Sequence, residues 1–295
     1  MPLKKLVDEL YEKRPSGVLY HYASLGSAIK IIESRSLWAT DIRYFNDTAE
    51  LNHTATLLRA EIAKRLAQHG CDSNLLTQFE SWLTHRITDG HMQFVTCFTE
   101  NGNLLSQWRG YCPPSRGISL GFSAQSLVES AKNQQFSIGK CLYSLERQKG
   151  LVAHLIESIE SLAKLEGENT DTSKRHPMNS FFDVFEKVET DLLKIAALIK
   201  HPSFYEEQEW RAISPVLENY VASPIEYREG TSMLVPFIRF TLPSAIDRQI
   251  DIDNVYIGPT PHINNSVNSL SNYLSKSRAS PRNGVSYCQI PYRAW

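Results

Sequence analysis

The sequence has no Cys-x-x-Cys pair, no His-Glu-x-x-His, no His-x-His and no glycine-rich phosphate loop of the G-x-x-x-x-G-K or G-x-G-x-x-G kind. The missing loops disfavour a Walker-type ATPase and a Rossmann dehydrogenase. The five cysteines (Cys71, Cys97, Cys112, Cys141 and Cys288) are odd in number and widely spaced, which argues against a disulfide framework and against a zinc knuckle. The nine histidines show no ligand spacing either, so no metal is predicted. No run of about 18 apolar residues is present, and the opening "MPLKKLVDELYEKRPSG" lacks the apolar stretch of a signal peptide. The expected setting is cytoplasmic, with no membrane partner. Charge of one sign is missing too: 31 Lys plus Arg stand against 32 Asp plus Glu, so no global positive field points to nucleic acid. A local groove around Arg109 and Arg116 would escape that argument, so nucleic acid is not excluded as a partner.

What is present is a chain of 295 residues, 42% hydrophobic and 10% aromatic, long enough to bury a sizeable core. "GVLYHYA" reads as a strand, followed by a helix capped by Ser24 with Leu25, Ile29 and Ile32 at helical spacing. Further strands are predicted at "LWAT", "QFVTCFTE", "GISLGF", "FSIGKCLYS", "MLVPFIRF", "IDNVYIGP" and "GVSYCQI". Amphipathic helices are predicted over 49–68, 74–87 and 263–276, and two long ones over 145–200, the second with Phe181, Phe185, Val188, Leu192, Ile195 and Ile199 on one stripe. The strands are short and the helices gather in two blocks. This predicts an α+β fold with a mixed, mostly antiparallel split sheet of about eight strands, in a single domain over 1–295 with a helical insertion at 145–200. The polar stretch near 166–179 reads as a mobile loop.

The segment "SFYEEQEWR" places three carboxylates immediately before the apolar "AISPV". Strand alternation puts Glu207, Glu209 and Arg211 on one face and Trp210 on the other. Two carboxylates side by side raise one another's proton affinity, a setting suited to binding a hydroxyl or handling a proton; the alternative is a Glu209–Arg211 ion pair. In "DIRYFNDTAE", Asn46 and Asp47 either form a turn that caps the next helix or, with Arg43, line a ligand-binding loop. "SQWRGYCPPSRG" offers Trp108, Arg109 and Tyr111, either as loop packing or as stacking and diphosphate contacts. Cys97 has no neighbouring cation or helix terminus in sequence and reads as a strand thiol rather than a nucleophile.

Two resemblances follow from these blocks. "LYHYASLGSAIKIIESRSLWATDIRYFNDTAE", "WRGYCPPSRGISLGF", "YEEQEWR" and "IDNVYIGP" together resemble a widespread bacterial family known only as a domain of unknown function, across roughly 18–292. More distantly, the order His21 on the first strand, "TCFT" with Thr96 and Thr99 on a middle strand, and Glu207-x-Glu209 on a later one is similar to ADP-ribosyltransferases that use NAD. That resemblance implies that His21 binds the adenosine-side ribose, Glu209 the 2′-hydroxyl of the nicotinamide ribose, and that Glu207 serves the acceptor. Tyr22 and Tyr205 become stacking surfaces and Arg109 the diphosphate contact. "TCFT" departs from the Ser-Thr-Ser pattern of that family. The function expected is an NAD-using, ADP-ribosyltransferase-like effector of a bacterial toxin or phage-defence system, with an unidentified acceptor and an antitoxin or defence partner. Two alternatives stand beside it: a non-catalytic nucleotide-sensing or protein-binding domain, and a phosphodiesterase or nuclease in which Glu207, Glu209 and Asp47 hold a divalent metal.

Overall fold

The structure is a computed structural model that describes residues 2–45, 49–68, 73–169, 181–217 and 219–290. It is α+β, with a mixed, open and mostly antiparallel sheet of ten strands. The strands are β1 (Val18–Ser24), β2 (Ser36–Asp41), β3 (Phe94–Thr99), β4 (Gly117–Ser123), β5 (Ser137–Lys140), β6 (Glu209–Ile213), β7 (Glu226–Glu229), β8 (Leu234–Thr241), β9 (Asn254–Ile257) and β10 (Val285–Tyr287). The helices are α1 (Pro2–Glu12), α2 (Leu25–Ser34), α3 (Ala49–Leu66), α4 (Ser73–Asp89), α5 (Leu105–Tyr111), α6 (Ala124–Asn133), α7 (Leu145–Asn169), α8 (Phe182–Ala196) and α9 (Ile263–Lys276). Along the main path the strand order is β10-β9-β4-β1-β3-β2-β8-β7, and β5 and β6 branch from β3. Among the described strands only β9 and β10 pair in parallel.

The sheet divides at β3. One edge of β3 pairs with β6 from Val95 to Thr99. The other edge pairs with β2 at Phe94 and Val95 and with β1 at Thr99 alone, so among the described residues Thr96, Cys97 and Phe98 have no ladder partner there.

The two largest apolar clusters among the described residues lie one against the sheet and one between helices. The first joins one sheet face to α2 and α6 and includes Leu19, Phe94, Phe98, Phe122, Trp210 and Phe240. The second is formed by α1, α3, α4, α7 and α8 around Phe79, Trp82, Ile156 and Phe185. Of the stripe expected on the second long helix, Phe185, Val188, Leu192 and Ile195 are buried on α8, while Phe181 is its half-buried N-cap residue and Ile199 is buried just beyond its end. Ser24 caps α2 as expected, its hydroxyl accepting from the Ser27 amide at 3.0 Å. The sheet has more strands than the eight expected. β7, "EYRE", was not anticipated because its polar residues carry no strand periodicity and it lies at an edge. α6 was also not anticipated. α7 runs to Asn169, so the first part of the expected 166–179 loop is helical, while 170–180 lies outside the described residues. No helix among the described residues is long and apolar enough to cross a membrane.

Candidate functional site

The segment that carries the carboxylates does not enter the sheet as an unbroken strand. Pro202–Glu207 forms a 3-10 helix, capped at its start by His201. Gln208 then takes the left-handed conformation (φ 43°), and β6 begins at Glu209. The reversal at Gln208 still leaves Glu207 beside Glu209. Glu206 is exposed, and Trp210 lies on the opposite face in the sheet core, its indole N–H donating to Glu100 at 2.8 Å.

Lys200 holds the two carboxylates together, a residue that the sequence reading did not single out. Its ammonium contacts Glu207 at 2.5 Å and also contacts Glu209. Arg211 completes the group: Nε donates to Glu209 at 2.8 Å, and Nη1 donates to the Ala197 carbonyl, at the C-terminal end of α8, also at 2.8 Å. The four charges cancel. Lys200, Arg211 and Glu209 have side chains 2%, 1% and 5% exposed, against 13% for Glu207, so Glu207 is the most open of the four. Burial alone would raise the proton affinity of Glu209, but Arg211 and Lys200 outweigh it and hold the carboxyl at about 2. The expectation of mutually raised carboxylates is therefore corrected for Glu209: two cations lie closer to it than its twin's charge can offset.

Because the folded value is depressed below the ordinary 4.5, Glu209 contributes stability that is complete above about pH 5 and lost as pH falls toward 2. The contribution is on the order of 3 kcal/mol. Acid titration of the wild type should show a loss of this size in the unfolding free energy, and Glu209→Gln should flatten that part of the profile. An unchanged profile would contradict the assignment.

The backbone around Lys200 is fixed from beneath. Gln148 of α7, fully buried, donates through its amide nitrogen to the carbonyls of Leu142 (2.6 Å) and Lys200 (2.7 Å), while its oxygen meets His53 at 2.9 Å. Gln148→Leu should cost about 1–3 kcal/mol, because the buried Leu142 and Lys200 carbonyls each lose one hydrogen bond, Leu142 keeping the one from the Lys200 amide at 3.2 Å. Chemical denaturation measures it. The Tyr143 hydroxyl accepts from the Glu209 amide at 2.9 Å and fixes the start of β6.

A pocket of about 70 Å³ opens beside this group, lined by Tyr20, His21, Tyr22, Cys97, Phe98, Thr99, Gln107, Tyr111, Glu207 and Glu209. His21 comes from β1 where the sheet splits. Its Nδ1 lies 2.9 Å from the Cys97 carbonyl, which can only accept, so Nδ1 carries the proton and Nε2 is left as the acceptor of the ring. Burial lowers the His21 pKa, with the carbonyl contact opposing, so the ring is neutral at pH 7. Thr99 donates to the Glu207 carbonyl at 2.5 Å and so anchors the end of the 3-10 helix. Burial, then the Glu209 charge, pushes the Cys97 thiol well up, opposite to what a nucleophile needs. The volume admits a few waters or one small ring, and a dinucleotide requires it to widen.

Of the sequence candidates, His21, Tyr22, Thr99, Tyr111, Glu207 and Glu209 line this pocket, and Arg211 lies behind Glu209. Tyr22 is held structurally, its hydroxyl donating to the Asn101 carbonyl and accepting from the Leu104 amide, both at 2.8 Å. The others lie elsewhere. Thr96 alternates with Cys97 along β3 and sits opposite Ala212, away from the pocket. Tyr205 is exposed on the 3-10 helix. Trp108 packs edge-on against Tyr22 and, with Arg109, lines a separate cleft beside Pro113, Pro114 and Pro259, because the helix periodicity of α5 turns Gln107 and Tyr111 toward the pocket instead. Arg43 is engaged by Asp41 through two contacts of 3.0 and 2.8 Å at the far end of β3. Asn46 and Asp47 lie outside the described residues.

The segment that supplies Gln107, Tyr111, Lys200, Glu207, Glu209 and Arg211 is also where a known family is detected. Residues 107–212 match the family model described as Protein of unknown function (DUF2971). This DUF2971 match covers just over a third of the chain and includes the "WRGYCPPSRGISLGF" and "EEQEWR" blocks, while "LYHYA" and "IDNVYIGP" fall outside it. Resemblance to a domain of unknown function is thus borne out over that stretch. No curated protein and no solved structure matches the chain.

Proposed function

We propose that the pocket between β1, α5 and the start of β6 is an NAD site of the ADP-ribosyltransferase kind, and that the protein is an NAD-using effector of a bacterial toxin or phage-defence system. One observation carries the reading: His21, Thr99 and the Glu207–Glu209 pair, far apart in the chain, line one pocket. They come from the three elements, in the same order, that the resemblance names. In this reading Nε2 of His21 accepts a hydrogen bond from a ribose hydroxyl. Both oxygens of Glu209 are engaged by Arg211 and Lys200, so Glu207 is the carboxylate that meets the 2′-hydroxyl of the nicotinamide ribose. The glycosidic C–N bond breaks, nicotinamide leaves with the electron pair, and a lone pair of the acceptor forms the new bond to C1′ as its proton passes to a base.

The test incubates the purified protein with NAD and candidate acceptors, measuring nicotinamide release and, by calorimetry, NAD binding. Release that is lost in Glu207→Gln supports the reading. Neither release nor binding overturns it. The complete pairing of Glu209 favours a second reading, a non-catalytic nucleotide-sensing domain, which predicts NAD binding without release. For the metal-dependent phosphodiesterase, the place between the two carboxylates is taken by the Lys200 ammonium. That reading requires activity abolished by a chelator and restored by magnesium or manganese.

A further inference from the structure

A second cavity lies at the opposite end of β3, enclosed by the turn after β2 and by α3, α4 and α8. Its internal volume is about 40 Å³ and its wall is mainly apolar, from side chains such as Leu58, Leu83 and Leu192. Two polar residues in that wall are at odds with it. Gln93 is 1% exposed and Thr54 4% exposed, yet neither the amide nitrogen nor the amide oxygen of Gln93, nor the hydroxyl of Thr54, has a hydrogen-bond partner among the described residues. Burying such a group without a partner is costly, so three around one cavity are a standing penalty unless something fills them. Strand alternation puts Gln93 on the same face as Val95, the side on which α8 packs, so the amide belongs to the cavity and not to the sheet core.

We propose that this cavity is a binding site for a compact, neutral molecule that presents a hydrogen-bond donor beside an acceptor: a carboxamide or lactam edge. Along one edge a primary amide presents an N–H beside its carbonyl oxygen in a single plane, and a lactam edge answers both at once. The Thr54 hydroxyl takes either role. The apolar wall accepts the carbon skeleton of the ligand, and the small volume limits it to a few heavy atoms beyond that edge. A charged ligand is disfavoured because the nearby charges already meet partners: Arg43 is paired with Asp41, and His91 lies 3.1 Å from Glu189.

A matched pair of probes tests this without reference to the other pocket. 2-Pyrrolidone and cyclopentanone share a five-membered ring and a carbonyl, and only the first carries the N–H. Titration of each into the isotope-labelled protein, followed by NMR at the methyl groups of Leu58, Leu83 and Leu192, which wild type and variant share, should show pyrrolidone binding about tenfold tighter. Gln93→Leu should abolish that preference while leaving the protein folded, since the substitution removes two unpaired polar atoms from an apolar wall. Equal affinity for the two probes, no binding of either, or a preference that survives in Gln93→Leu would overturn the proposal. In the last two cases internal water is the partner of Gln93 or the probe binds elsewhere. Loss of NAD binding at the β1 pocket leaves every one of these outcomes unchanged.

Discussion

Lys200→Met is expected to lower the unfolding free energy by about 3–5 kcal/mol, the usual consequence of removing one partner from a buried charge group. Methionine fills the space of the aliphatic stem but leaves Glu207 and Glu209 facing one another with Arg211 as the remaining cation. One carboxylate then takes up a proton, so the loss should be smallest at low pH and largest near neutrality. Urea unfolding at pH 4 and pH 7 reads both the size and the slope. The double variant Lys200→Met/Glu207→Gln restores charge balance and should recover part of the loss. A Lys200→Met protein as stable as the wild type at pH 7 would show that the ammonium contacts are not structural.

Glu207→Gln and Glu209→Gln are expected to fail in different ways. If Glu207 meets the ribose hydroxyl, its amide should slow nicotinamide release by about 10²–10³ while NAD affinity changes by only a few-fold, because the interaction strengthens as positive charge develops in the transition state. Glu209→Gln removes the carboxylate that both Lys200 and Arg211 hold, so it should lower the unfolding midpoint and the rate together. Steady-state kinetics combined with thermal unfolding separates the two. A Glu207→Gln enzyme with an unchanged turnover number would remove that residue from the chemistry, whatever becomes of Glu209.

The strands and the long helices were legible because their apolar residues recur with periods of two and 3.6, and the side assignments of Glu209, Trp210 and Arg211 followed from the same alternation. The break at Gln208 was not: a left-handed glutamine between two glutamates has no signature in sequence, and "SFYEEQEWR" reads as a continuous strand until Pro202 is taken as the start of a 3-10 turn. Lys200 was missed for a related reason. It closes the apolar run "LLKIAALIK", where a lysine normally marks the solvated end of a helix, and its pairing with Glu207 and Glu209 depends on the chain turning back at His201–Pro202. A charged residue between an apolar stripe and a His-Pro pair was the available signal. Thr96 and Thr99 were indistinguishable as candidates until the strand register fixed which of them faces the pocket. Arg109 and Tyr111 lie two residues apart on α5, so the helix sends them to different clefts.

The division of the sheet at β3 has a mechanical consequence. Along the edge of β3 that faces β1, the described structure has one ladder position, Tyr20 opposite Thr99, and one side-chain bond, from His21 to the Cys97 carbonyl. The rest of the ladder pairing of β1 runs the other way, through seven positions with β4. The seam between β1 and β3 is thus the weakest line in the sheet, and it forms one wall of the pocket.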